Sequence, residues 1–206
     1  MARYTGPKNR IARKFGVNIF ARARNPLLHK PNPPGVHGAK RKKKSDYGLQ
    51  LEEKQKLRAV YGMLSNKQLL NSYYKALKKE GATADNLIQA LECRLDSIVF
   101  RLRLAPTIFA AQQLISHGHI LINGKKVDRK SFLVKPSMKI SLKEKIKSNT
   151  IIKGSMENTS RDIPEYLEIT EDKTSGVLNS NPLPDQIPHP LTLNVTLVCE
   201  FLAHTN

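Results

Sequence analysis

No acidic residue precedes Asp46, while 13 lysines and arginines do, including the unbroken cationic run Lys40–Lys44. Pro31, Pro33 and Pro34 forbid helix across the middle of this stretch. It buries too little apolar surface to offset its own conformational entropy. Residues 1–46 are therefore expected to be an extended basic segment, ordered locally around Phe15, Ile19 and Phe20 and elsewhere by a partner. That partner should be a polyanion, because each phosphate a cation neutralises releases condensed counterions.

Charge is uneven along the rest of the chain too. Residues 51–100 carry 8 Lys/Arg against 6 acids, residues 101–150 carry 11 against 2, and residues 151–206 carry 3 against 8, within a formal total of +18. Two basic blocks flank a near-neutral stretch, and an acidic tail follows. Nucleic acid fits this pattern better than a membrane surface, since the lysines do not share a helix with Trp or Phe on its opposite face. No run approaches the roughly 20 apolar residues of a membrane span. The start, MARYTGPKNR, lacks the apolar stretch of a secretory signal, so no membrane partner and a cytoplasmic location are expected. Cys93 and Cys199 are far apart and read as reduced thiols.

Periodicity divides the remainder. Leu57, Val60, Tyr61 and Leu64 predict a helix over 49–62. SNKQ is a capping box of Ser65 and Gln68, and Leu70, Tyr73, Tyr74 and Leu77 predict a second helix that stops at Gly81. Leu87, Leu91, Leu95, Ile98 and Leu102 predict one continuous third helix, ended by Pro106. Thr107 caps a fourth, TIFAAQQLISHG. HILI then leads through Asn123-Gly124 into Lys125–Val127, a hairpin with a two-residue turn, and MKISLKEK reads as a further strand. Proline-rich SNPLPDQIPHP must be irregular, whereas LTLNVTLVCEFL alternates and predicts a terminal strand. The fold class is α+β: a helical N-terminal domain with a basic extension, and a small helix-helix-β-hairpin RNA-binding domain. Its segments are 1–46, the basic extension; 47–93, helical and joined by the terminal strand 190–206; 94–150, the hairpin domain; and 151–189, acidic and proline-containing.

Signals for catalysis are sparse, with no Gly-rich phosphate loop, no His-x-x-x-His and no Cys-x-x-Cys. His29 and His37 have no thiol nearby, so no metal and no cofactor are expected. The triplet Arg94-Leu95-Asp96 also carries the catalytic aspartate in pseudouridine synthases. Inside an amphipathic helix, with too short a remainder behind it for a catalytic domain, Asp96 reads instead as a helix-surface partner for a nearby cation. The chain is not expected to be an enzyme. A free-standing RNA chaperone would not need the first 90 residues. With aromatics at 6% and no Trp there is no stacking platform for single strands, and no recognition helix for a DNA groove. What remains is recognition of folded RNA by shape and backbone. Arg94, Arg101 and Arg103, with Lys125, Lys126, Arg129 and Lys130, are expected to form one positive surface, and His117 and His119 to meet RNA phosphates. On this reading Arg94→Ala weakens RNA binding more than Arg161→Ala, since Arg161 lies in the acidic segment.

The stretch RLDSIVFRLRLAPTIFAAQQLISHGHILINGKKVDRKSFLVKP resembles the RNA-binding domain of the fourth-protein family of the bacterial small ribosomal subunit, shared with some tRNA synthetases and pseudouridine synthases. MARYTGPKNRIARKFG, PPGVHGAKRKKKSDYGLQLEEKQKLRAVYGM and LVCEFL extend the resemblance to nearly the whole chain, in a style similar to the chlamydial branch. The resemblance implies a structural role: binding small-subunit ribosomal RNA in its 5′ domain, nucleating the body of the particle, contacting proteins five and three, affecting decoding accuracy, and lining the messenger RNA entrance with Lys40, Arg41 and Lys43. Many members bind zinc through N-terminal cysteines; Asn9 and Ala12 stand at the first two of those positions, which implies the zinc-free form. Arg103 stands where glycine is common and Met138 where aspartate is common, which leaves the usual turn at 138 open to question. The RNA-facing set expected from all of this is Arg3, Lys8, Arg10, Arg13, Lys14, Lys40, Arg41, Lys42, Lys43, Lys44, Tyr47, Lys54, Arg58, Arg94, Arg101, Arg103, Thr107, Gln112, His117, His119, Asn123, Gly124, Lys125, Lys126, Arg129 and Lys130.

Overall fold

The computed structural model describes residues 4–22, 24–40, 43–158 and 161–204. Its elements run α1 (Lys8–Phe15), α2 (Asp46–Val60), α3 (Asn66–Leu77), α4 (Thr83–Glu92), α5 (Leu95–Arg101), α6 (Ile108–Ser116), β1 (Ile120–Ile122), β2 (Lys125–Lys126), β3 (Lys139–Leu142), α7 (Glu144–Lys147), α8 (Thr150–Glu157), β4 (Leu167–Ile169), β5 (Ser175–Leu178) and α9 (Val195–His204). The chain divides into two units, Met1–Ala84 with His189–Asn206, and Asp85–Pro188. Among the described residues no helix is long and apolar enough to cross a membrane.

In the first unit, Ser45 caps α2 by accepting from the Gly48 N–H, and α2 buries Lys54, Leu57 and Ala59. The Ser65/Gln68 capping box forms with both of its bonds and starts α3. That helix buries Leu69, Tyr73 and Ala76, while Tyr74 and Leu77 are exposed, so its inward face is rotated from the one expected. The terminal segment is helix rather than strand. Asn194 Oδ1 accepts from the Leu197 N–H at 3.2 Å, and Val198, Phe201 and Leu202 are buried at three-and-four spacing, the period of a helix. Helix α9 packs on α2: the Phe201 and Tyr47 rings lie 5.4 Å apart, Lys54 Nζ sits 4.4 Å above the Phe201 ring, and Gln50 donates to Glu200.

In the second unit the expected third helix breaks in two. Residues 93–96 turn their backbone outward to 130–134: Leu95 N–H donates to Phe132 O, Asp96 N–H to Lys130 O, and Val134 N–H to Cys93 O. Arg94 is therefore extended and stands at the N-cap of α5. The sheet is antiparallel in the order β2-β1-β3-β5-β4. Asn123 and Gly124 both have positive φ, 48° and 79°, as a tight two-residue hairpin requires. The turn before β3 closes despite its methionine, because Met138 Sδ accepts from the Lys135 N–H at 3.4 Å. The acidic segment contributes β4 and β5 to this sheet, which is why the chain divides after residue 188 rather than at 150.

Gly176 lies on β5 beneath α5, where a Cβ would come within 2.5 Å of Leu102 Cδ2 and 2.8 Å of Glu168 O. One of those contacts is backbone and cannot step aside. Gly176→Ala is expected to lower stability by about 1–3 kcal/mol, the usual cost of overpacking. Urea denaturation reads this directly, and a midpoint equal to wild type would show that the space is softer than the packing implies.

Candidate nucleic-acid interface

In the second unit the aliphatic half of the hairpin anchors it: Ile120 and Ile122 are buried, and Ile140 and Leu142 of β3 pair with them. Its return strand is the opposite, with Lys125 and Lys126 both exposed. The Lys126 side chain crosses the α6–β1 junction so closely that a Cβ on Gly118 would lie 2.1 Å from Lys126 Cε. His117 and His119 flank that glycine with ring centroids 6.0 Å apart, His117 exposed and His119 half-buried. Arg129 is exposed on the loop that follows. Lys139 joins this group and was not singled out from the sequence: its N–H donates to Asn123 Oδ1 at 2.8 Å and its carbonyl accepts from the Asn123 N–H, which fixes an exposed lysine beside the turn. The strand reading of MKISLKEK held the signal for it. Gly124 and Asn123 shape the turn, and Thr107 Oγ1 caps α6 by accepting from the Ala110 N–H.

Other members of the expected surface turn inward. Arg94 and Lys130 are buried, as are Gln112 and Asp96. Arg94 makes a bidentate pair with Asp96 at 3.0 and 2.9 Å, Gln112 Nε2 donates to Asp96 Oδ2 at 3.0 Å, and Lys130 Nζ donates to Gln112 Oε1 at 3.2 Å. Burial holds the Lys130 ammonium below the usual lysine range, partly offset by Asp96. Asp96 is thus no helix-surface residue but the centre of an internal polar network. It is stabilised there because a buried carboxylate needs its charge and lone pairs satisfied. Arg101 is bound to Glu92, at 2.6 Å from Nε, and to the Pro188 carbonyl at 2.7 Å. Glu92 also accepts from the Tyr166 hydroxyl, whose acidity is suppressed chiefly by burial and then by that carboxylate.

Arg103 has φ +59°, a left-handed conformation that costs a side-chain-bearing residue roughly 1–2 kcal/mol and that glycine adopts freely. This accounts for the glycine common at that position in the resembling family. Arg161, expected from the sequence only to be a residue of the acidic segment that matters less than Arg94 to RNA, is a half-buried fork. It donates to Phe100 O at 3.3 Å, Ala105 O at 3.1 Å and Ser155 Oγ at 3.3 Å, with its guanidinium 4.5 Å from the Phe100 ring. Burial, with Arg103 and Arg101 nearby, brings its pKa down to about 10, so it stays charged at neutral pH. The expected contrast between Arg94→Ala and Arg161→Ala compares two structural residues.

In the first unit Lys8, Arg10, Arg13 and Lys14 lie on α1, with Arg10 and Lys14 exposed. Lys40 and Lys43 are exposed, and Lys44 is paired with Glu52. Arg3, Arg41 and Lys42 lie outside the described residues. Tyr47 keeps 63% exposure while its ring meets Phe201. Lys54 is a correction: it is buried under the Phe201 ring, and desolvation lowers its pKa. Arg58 is half-buried, donating to Leu64 O at 2.6 Å and to Gln55 Oε1. Among the described residues no group of three or more His, Cys, Asp or Glu could hold a metal ion. Asn9 offers an amide already accepting from Arg22, and Ala12 offers a methyl, so the thiolate chemistry of a zinc knuckle is not supplied.

Residues 3–92 match the ribosomal protein S4/S9 N-terminal domain, and residues 93–140 match the S4 domain. The chain is 62% identical over 205 residues to the small ribosomal subunit protein uS4 of Protochlamydia amoebophila (strain UWE25), covering 100% of both. It is 60% identical over 207 residues to the uS4 of Chlamydia trachomatis serovar L2, and 54% identical over 207 residues to that of Chlamydia pneumoniae, covering 99% of each chain in both comparisons.

Proposed function

The chain belongs to the small ribosomal subunit protein uS4 family, and from that premise we propose that it holds the 5′ domain of small-subunit ribosomal RNA and nucleates assembly of the subunit body. It is an RNA-binding structural component of the small ribosomal subunit in the cytoplasm, and not an enzyme. The observation that carries the finer reading is the hairpin. Lys125, Lys126, Arg129 and Lys139 stand exposed on a backbone fixed by a packed core, so cations meet phosphates from set positions, as recognition by shape requires. Burial of Arg94, Lys130 and Gln112 narrows the contact set and leaves the mode of binding intact. Partnership with proteins five and three, the effect on decoding accuracy, and a messenger RNA entrance lined by Lys40, Arg41 and Lys43 belong to the same proposal. The exposed placement of Lys40 and Lys43 supports the last of these.

The test is binding of the full chain to small-subunit ribosomal RNA across salt concentrations, against an unrelated folded RNA. Wild type should keep its preference under competition. Changing Lys125, Lys126 and Arg129 together to Ala should leave thermal unfolding unaltered and lower the log–log salt slope by about 2–3, at roughly 0.7–0.9 per phosphate released. Equal slopes would remove the hairpin from the interface, and equal binding of both RNAs would remove the proposed recognition of the 5′ domain.

A further inference from the structure

We propose that the hairpin turn is a self-modifying site: the Gly124 amide nitrogen displaces ammonia from the Asn123 side chain, and the carboxylate that results loosens the hairpin's hold on RNA. Asn123-Gly124 is the single Asn-Gly dipeptide of the sequence. Both residues are exposed, and even a Cβ placed on Gly124 would meet nothing within 4 Å, so solvent hydroxide has open access to the Gly124 N–H.

The chemistry balances with water alone. Gly124 N gives its proton to hydroxide and bonds to Asn123 Cγ; the bond from Cγ to Nδ2 breaks, and ammonia leaves with a proton taken from water. Water then opens the five-membered imide at one of its two carbonyls, at Cγ to leave aspartate or at the Asn123 main-chain carbon to leave isoaspartate. Nothing is oxidised or reduced.

Two features of the turn favour this step. Asn123 Oδ1 accepts from the Lys139 N–H at 2.8 Å, so a donor already stands where negative charge collects as the nitrogen adds, which is the arrangement of an oxyanion hole. Lys125, Lys126, Arg129 and Lys139 are all exposed, and Asp128 is the one acidic residue between Asp96 and Glu144 in the sequence. A positive field stabilises a deprotonated amide and concentrates hydroxide near it. Asn179-Ser180 supplies a contrast within the same chain. It is exposed too, but Asn179 Nδ2 donates to Glu168 Oε2 at 3.1 Å, beside a carboxylate.

The loss of affinity rests on the hairpin being an RNA contact. A carboxylate at position 123 pairs with a neighbouring cation that would otherwise meet a phosphate, and isoaspartate also lengthens a two-residue turn by one backbone carbon. Bound RNA neutralises the same cations and slows the step, so chains outside a particle are marked first.

The full chain, incubated in warm, mildly alkaline buffer with and without small-subunit ribosomal RNA, should gain the amide-to-acid mass at Asn123 well ahead of Asn179, accept methyl groups from an isoaspartyl methyltransferase, and react more slowly with RNA present. Asn123→Asp, which keeps an acceptor for the Lys139 N–H and a residue suited to the turn, should leave the unfolding midpoint as it is. It should bind the RNA about three- to tenfold more weakly, with a log–log salt slope lower by about 0.7–0.9, one phosphate's worth. An amide that lasts as long at Asn123 as at Asn179 overturns the self-modification, and equal rates with and without RNA overturn the marking of free chains. Wild-type binding by Asn123→Asp, while the Lys125, Lys126 and Arg129 variant loses slope, overturns the effect on affinity alone. Slopes unchanged in both variants sink the hairpin reading itself, whereas the mass gain still reports on the chemistry.

Discussion

Asp96→Ala is expected to cost the second unit about 3–5 kcal/mol, enough to unfold a domain of ordinary stability. Asp96 is fully buried and serves three partners: both ends of the Arg94 fork, the Gln112 amide, and the Lys130 carbonyl through its own N–H. Removing the carboxylate strands a guanidinium that is itself 4% exposed, and a buried unpaired charge is the expensive part of breaking such a pair. Removing both charges tells a different story. Arg94→Met with Asp96→Leu takes the unpaired ion away and should recover most of the loss, since apolar replacements of buried pairs are often neutral. Urea denaturation of the two variants decides it: a loss below about 1 kcal/mol for Asp96→Ala would mean that water reaches the network. Weak RNA binding by Arg94→Ala should accordingly follow the unfolded fraction and not a lost phosphate contact.

The second large effect is at Arg161. Its guanidinium gathers the Phe100 carbonyl in the last turn of α5, the Ala105 carbonyl in the loop before α6 and the Ser155 hydroxyl of α8, while Ser155 donates in turn to Arg103 O at 2.8 Å. The carbonyls at a helix C-terminus lack intrahelical donors and carry the negative end of the dipole, so a cation there is well placed. Arg161→Ala should lower stability by about 2–4 kcal/mol, from lost charged hydrogen bonds and the ring contact with Phe100. The unfolding temperature should fall by about 10–20 °C for a unit of this size. Lysine should rescue little, because one ammonium cannot span three acceptors set out for a planar fork. With the fold maintained at low temperature, the salt slope of RNA binding should stay at the wild-type value. An unfolding temperature within about 3 °C of wild type would show that Arg161 decorates the unit without holding it.

Which features could be read in advance follows from how local their causes are. The Ser65/Gln68 box, the Thr107 cap and the Asn123-Gly124 turn depend on residues within four positions of one another, and all formed as expected. The break at Arg94 has no Gly or Pro to announce it. It is imposed by a strand-like bridge to Leu133, so an apolar period that continues unbroken through Leu95 and Ile98 concealed it. LTLNVTLVCEFL satisfies the period of a strand and, through Val198, Phe201 and Leu202, that of a helix. Asn194, as the cap, was the local signal that favoured helix. The same distinction governs the interface. Lys125 and Lys126 are both exposed because β2 is a two-residue edge strand beside the turn, whereas burial of Lys130 depends on Gln112, 18 positions earlier, and could not be told from charge alone.

Helix α9 is separated along the chain from its seat on α2 by the entire second unit: the bond from the Asn194 N–H to the Glu53 carboxylate spans 141 positions. A nascent chain, emerging N-terminus first, therefore has all of residues 85–188 available to fold before the helix that covers Phe201's site on Lys54 and Tyr47 has been made. A folded insert also shortens the free loop that α9 must close, which reduces the entropic cost of its return. Birth order thus allows the hairpin unit to mature while the first unit still awaits α9.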